Sequence, residues 1–295
     1  MRMKATRKSL SIAIVFPLLL YCCQPETKTE SKENITDVTE KAISLNDFVE
    51  TFGGVWAPEA YLNAIIKHKS VYLSHQDIPY ISELKIHKNN LKNDTLNVPS
   101  GIKNHERYDF KVWETKQSDK PEYANSLLEW EEEHEFIFRY NTADTTISIL
   151  EKNKNDSLVE RTDYIRILNQ KYAYNNKESA YNYLGRKFIL NGKYQILDAT
   201  KKDLGIADFE ANTGEISGFK YTYYILTTDF IGGGPVYPSD YILLRYARDI
   251  YSDQQFLRLL HQNDTIYLYE TIGIFTDTYY NEALKKINFY LIDKN

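Results

Sequence analysis

Cysteine is almost absent from this chain of 295 residues: it occurs twice, at the adjacent positions Cys22 and Cys23. Two cysteines cannot supply a four-cysteine zinc site or an iron–sulfur cluster. Twelve glycines and eight prolines are too few for a fibrous repeat, and no sequence period recurs, which disfavours propellers and solenoids. Positive charge is also in deficit. Lys and Arg number 36 against 41 Asp and Glu, a net −5, which argues against binding to a nucleic-acid backbone. No run reaches the roughly 20 apolar residues that span a bilayer. The motifs of catalysis and metal binding are missing as well. His68 and His75 lie seven apart, His87, His105, His134 and His261 are scattered, and there is no H-E-x-x-H. There is no G-x-S-x-G elbow, and Gly232-Gly233-Gly234-Pro235 lacks the Lys-Ser/Thr of a phosphate loop. That loop reads as a connection between strands, and it could close over a barrel mouth.

What is present is ample core-forming material. Hydrophobic residues make up 42% of the chain and aromatic residues 14%, with 25 tyrosines. This composition excludes a disordered protein, and the length allows one large domain or two smaller ones.

The N-terminus carries Arg2, Lys4, Arg7 and Lys8, followed by an apolar stretch from Leu10 to Leu20 that fits a secretory signal. It ends in Leu20-Tyr21-Cys22-Cys23, which resembles the lipobox of bacterial lipoproteins, with Leu20 three positions before Cys23. The resemblance implies cleavage after residue 22, acylation of Cys23, and a membrane anchor of two or more acyl chains. Removing four positive charges and no negative ones takes the net charge from −5 to −9, and leaves no free thiol once Cys23 is acylated. Residues 23–43, which include Gln24-Pro25-Glu26-Thr27-Lys28, read as a disordered tether. Gln24 is not an acidic retention residue, which favours the outer membrane.

Residues 44–295 read as a β-rich domain, with a division into two subdomains near 170–180. Pro58 and Glu59 open a short helix over about 58–69, with Tyr61, Leu62, Ile65 and Ile66 on one face. After that the signals are for strands. Val71–Leu73, Ile78–Ile86, Tyr108–Trp113, Glu135–Tyr140 and Thr145–Leu150 are rich in β-formers or alternate with period two. Asn191-Gly192, between Phe188–Leu190 and Tyr194–Leu197, predicts a type I′ hairpin. More strands are expected near Phe209 and over Gly218–Leu226, Ser239–Tyr246, Thr265–Thr271 and Ile287–Ile292, while Ser252–Leu260 fits a short helix or an irregular strand. The fold class is mainly β, an antiparallel barrel or sandwich with a short N-terminal helix.

Gly54-Val55-Trp56 is similar to the G-x-W that opens lipocalin barrels, and Ser239-Asp240-Tyr241 is similar to the T-D-Y of that family. The resemblance implies that Trp56 closes one barrel end with Arg245 as the cation beside it. A broader likeness, over residues 188–292, is to uncharacterised β-rich lipoproteins of Bacteroidota. Within that frame Trp56, Tyr223, Asp229, Tyr241 and Arg245 are the candidate ligand-binding residues, and Cys23 the lipidation site. The stripe of Tyr221, Tyr223, Tyr224, Tyr267 and Tyr269 fits either a ligand cavity or cross-strand pairing. The acidic run Glu129–Glu135 reads as solvated surface. Nothing implies a cofactor or a metal. The expected function is non-enzymatic binding of a small or apolar ligand, or of an envelope component, by a lipid-anchored envelope protein. An exported hydrolase using converging carboxylates, or a structural partner of an outer-membrane assembly, are the alternatives.

Overall fold

The computed structural model describes residues 43–102, 106–113, 122–126, 134–153, 155, 157–170, 179–228, 230–231, 234–235, 239–248, 254–271 and 286–294. Ser44 starts the first helix, α1 (Leu45–Phe52), because its hydroxyl accepts from the Asp47 amide and satisfies a donor the helix cannot. Leu45, Phe48, Val49 and Phe52 recur on one face and are all buried. Strand β1 (Gly54–Pro58) follows at once.

The first sheet contains β1, β2 (Ile81–Ile86), β3 (Leu91–Lys92), β4 (Thr95–Ile102), β5 (Glu106–Trp113), β6 (Glu122–Ser126), β7 (His134–Asn141), β8 (Thr146–Asn153) and β9 (Leu158–Asn169). Each pairs antiparallel with its successor, except that β2 bypasses the short β3 and pairs directly with β4. Strand β9 returns to pair with β1. Eight strands therefore run up and down and meet again, forming a barrel over residues 54–169. The closing seam needs Gly54: at φ +150° a Cβ there would lie 2.5 Å from the Leu168 carbonyl.

The second sheet is an open half-barrel. It contains β10 (Gly192–Asp198), β11 (Asp203–Phe209), β12 (Ile216–Ser217), β13 (Tyr223–Leu226), β16 (Asp240–Arg245), β17 (Gln255–Gln262), β18 (Thr265–Glu270) and β19 (Ile287–Asp293). Their order is β12-β11-β10-β19-β18-β17-β16-β13, while β14 (Phe230–Ile231) and β15 (Gly234–Pro235) form a separate ribbon. Its apolar face packs in one core with α2 (Glu59–His68), α4 (Ala180–Gly185) and the outward residues Val55, Ala57 and Leu168 of the barrel wall. The two sheets are thus joined by a shared core. Polar bonds reinforce the junction. Tyr181 donates to the Ser82 carbonyl at 2.6 Å, and Glu83, paired with Lys85 at 3.0 Å, accepts from the first amide of α4.

The mainly β reading and the helix over about 58–69 agree with this structure. Two local expectations do not. Val71–Leu73 begins a helical turn, α3 (Val71–Ser74), because Ser70 caps its start and Asp240 accepts from the Tyr72 amide. Asn191-Gly192 is not a hairpin turn. The preceding Arg186–Leu190 is a π-helical continuation of α4 whose Ile189 and Leu190 are buried, so burial overrides the turn signal. Of Ser252–Leu260, which by sequence fits a short helix or an irregular strand, the stretch Gln255–Leu260 belongs to strand β17. The ring of strands is formed within residues 54–169, and the open sheet within residues 192–293.

Candidate functional site

The described side chains of the barrel interior are closely packed. The four buried residues of α1 cluster with Trp56, Phe138, Tyr140 and Ile147 inside the ring. Phe48 lies 4.8 Å from Phe52, 5.2 Å from Tyr140 and 5.8 Å from Phe138, ring centre to centre. The Ile43 amide donates to the Tyr140 hydroxyl and fixes the entry to α1. At the opposite mouth Tyr80 stacks on Phe136 at 6.0 Å, and Tyr164 donates to the Ile81 carbonyl at 2.6 Å. The space left there is about 10 Å³, room for a single water.

Trp56 is wholly buried in this arrangement. Its indole donates to the Phe52 carbonyl at 2.9 Å, and the Arg166 guanidinium stands 5.2 Å above the ring. Burial lowers the pKa of Arg166, so the ring face beneath it compensates lost hydration. Arg166, the register partner of Trp56 on β9, holds the place expected for Arg245. Arg245 lies on β16 of the other sheet, opposite Tyr223 on β13, and donates to the Arg248 carbonyl at 3.3 Å. The Arg248 guanidinium stands 5.6 Å over the Tyr223 ring. Tyr241 is buried and stacks on Phe256 at 5.0 Å. Tyr223, Tyr241 and Arg245 thus share one sheet while Trp56 belongs to the barrel. Asp229 and Cys23 lie outside the described residues, as do Glu129–Glu133, Gly232 and Gly233.

The tyrosine stripe divides between two environments. Tyr221 and Tyr224 are core residues, with Tyr224 edge-on to Phe209 at 5.2 Å. Tyr267 pairs across strands with Tyr290 at 5.5 Å and stacks on Tyr269. Neither group lines the cleft or the mouth space found among the described residues.

The sizeable concavity among the described residues lies outside the barrel, next to the Tyr80 mouth. It is an open cleft of about 450 Å³ between Pro58–Ala60 and Asn63, the turn Gln76–Pro79, and Glu160–Asp163 on β9. Four carboxylates line it, Glu59, Asp77, Glu160 and Asp163, against one cation, Arg161. That cation is already engaged, since Arg161 donates to Asp163 at 2.8 Å and Ser148 donates to the same oxygen at 2.6 Å. Partial burial raises the pKa of Asp163, but these two bonds outweigh it, so the net shift is downward and Asp163 stays ionised. Glu59, Asp77 and Glu160 have no ion pair with a described cation. Glu160 also reaches the mouth: Tyr164 is held protonated by burial first and by the Glu160 charge second. The site therefore offers uncompensated negative charge, the amides of Asn63 and Gln76, and an apolar floor of Pro58, Ile78 and Pro79.

Sequence reasoning passed over these residues. The mixed signs of Glu160-Arg161-Thr162-Asp163 hide the start of β9, and Asp77 joins Glu160 only through barrel closure. Among the described residues no three His, Asp or Glu side chains are placed to hold a metal ion. Comparison with protein families, with curated proteins and with solved structures gave no match.

Proposed function

We propose that this chain is a lipid-anchored binding protein of the bacterial envelope, non-enzymatic, which takes a polar, cation-bearing ligand or envelope component in the acidic cleft beside the closed barrel. The observation that carries the reading is the contrast between the two spaces. Among the described residues α1 packs into the interior and about 10 Å³ is left at its mouth, whereas the outer cleft of about 450 Å³ is of ligand size and lined by carboxylates. An apolar ligand inside the barrel would have to displace α1, so the cleft is favoured as the binding space. Carboxylates and amides on an apolar floor suit an amine that also carries hydrocarbon.

Calorimetric titration of the chain from Gln24 with spermine, a simple polycationic probe, tests the site. Saturable binding that Glu160→Gln with Asp77→Asn abolishes supports the reading. Equal binding by the double variant, or none by the parent, refutes it. Export and anchoring at Cys23 are read from the Leu20–Cys23 pattern alone. Mass spectrometry of the parent chain and of Cys23→Ala tests them: acylation must be present in the first and lost in the second.

A further inference from the structure

A second surface has the opposite chemistry. The ring of Phe188 lies under two ammonium groups, Lys69 Nζ at 5.9 Å and Lys187 Nζ at 5.5 Å from its centre, and Lys187 also stands 5.6 Å over Tyr183. Lys69 ends α2 in a left-handed conformation, and Ile66, Lys67, His68 and Lys69 form a continuous exposed run. Ile66 is 43% exposed, and Leu73, on α3 packed against α2, is 56% exposed. Lys67, Lys69 and Lys187 form no ion pair with a described carboxylate, whereas Lys85, Arg161 and Lys286 each do. An unpaired cationic cluster flanked by aliphatic and aromatic side chains is unexpected on a chain whose net charge is already negative.

We infer that the surface at the C-terminal end of α2, which carries the exposed run Ile66–Lys69 with Lys69 and Lys187 over Phe188, docks the domain on an anionic phospholipid surface. Lysines whose stems lie along apolar groups place their ammoniums among phosphates, while the exposed Ile66 and Leu73 enter the headgroup boundary. The charges are complementary: each lysine near an anionic bilayer strengthens binding about fivefold. The inference draws on the lipid-anchor reading for proximity alone. The twenty residues from Gln24 to Ile43 extend at most about 70 Å, so an anchor at Cys23 keeps this face within reach of its own membrane. The acidic cleft needs a different partner and is not used here.

The test is flotation of the unlipidated chain from Gln24 with vesicles of phosphatidylglycerol and phosphatidylcholine, against phosphatidylcholine alone, in low-salt buffer. Binding is expected to the anionic vesicles only and to weaken with added salt. The variant Lys67→Glu/Lys69→Glu/Lys187→Glu should bind roughly a hundredfold more weakly. Ile66→Ser/Leu73→Ser should lose binding severalfold, while Lys201→Glu/Lys202→Glu, at exposed lysines elsewhere, should keep it. All these positions are exposed, so unchanged melting curves certify each variant as folded. No flotation of the parent chain, an equal loss in the Lys201/Lys202 control, or full binding by the triple variant would each overturn the docking face. Because the protein used carries no lipid, these results are independent of whether Cys23 is acylated.

Discussion

Truncating Phe48 to alanine asks directly whether α1 fills the barrel. Phe48 is fully buried and touches three rings, Phe52, Tyr140 and Phe138, at 4.8, 5.2 and 5.8 Å. Loss of a buried phenylalanine costs about 3–5 kcal/mol, from the transfer of its ring and from the void left behind. For a domain of this size each kcal/mol moves the melting point by about 2–4 °C, so a fall of roughly 6–20 °C is expected. Urea unfolding followed by tryptophan fluorescence measures it, since Trp56 lies 6.1 Å from Phe52 within the same cluster. The void should also accept benzene, because apolar cavities of ring size stay dry and bind small aromatics. Added benzene should then restore part of the lost stability in Phe48→Ala and leave the parent unchanged. A loss below about 1 kcal/mol, or an equal benzene effect on both proteins, would show that α1 does not occupy the interior.

Three further outcomes follow from local geometry. Gly54→Ala should destabilise by about 2 kcal/mol or more and loosen the β1–β9 seam, because its Cβ meets the Leu168 carbonyl at 2.5 Å; hydrogen exchange at Val55–Ala57 and Ile165–Leu168 reads the seam. Ser148→Ala removes a bond to Asp163 and should raise that carboxyl's pKa toward its ordinary value, as followed by carbon NMR. The folded pKa is depressed, so the parent's advantage over this variant is present at neutral pH and fades as acid protonates Asp163. With Asp163 half exposed, the gain is small. Asp240 behaves in the opposite sense: burial raises its pKa, and bonds from Ser70, Tyr72 and Val71 only partly counter this. Its folded pKa lies above 3.8, so stability relative to Asp240→Asn should be greatest in acid and decline as pH rises through the folded value. Urea midpoints of the two proteins across that window check the sign.

The parts of this fold that are visible in the sequence are those with one wet face. In β18 and β19 buried positions alternate with more exposed ones, and local residues settle the outcome. Strand β9 escapes notice because Tyr164 faces the barrel core while Leu168 and Ile167 join the second core, so both of its faces turn apolar. Val71–Ser74 looks like a strand by composition, yet a bond from Tyr72 to Asp240, 168 residues away, helps make it helical. The G-x-W start is readable, but the cation over Trp56 is set by the β1–β9 register, which places Arg166 opposite it and leaves Arg245 on another sheet. The cleft is less legible still. Glu59, Asp77 and Glu160 come from three elements that meet only when the ring closes, and no spacing along the chain foretells it.

The central claim is that the barrel is closed and the ligand space lies outside it, and amide chemical-shift mapping tests it most directly. Titrated with spermine, the chain should shift at Glu59, Asn63, Gln76–Ile78 and Glu160–Asp163, and remain still at Phe48, Phe52, Phe138 and Tyr140. Titrated with the apolar probe N-phenyl-1-naphthylamine, the same interior residues should not move. Shifts at Phe48 and Phe138 with the apolar probe, or none around Glu160 with spermine, would contradict the account.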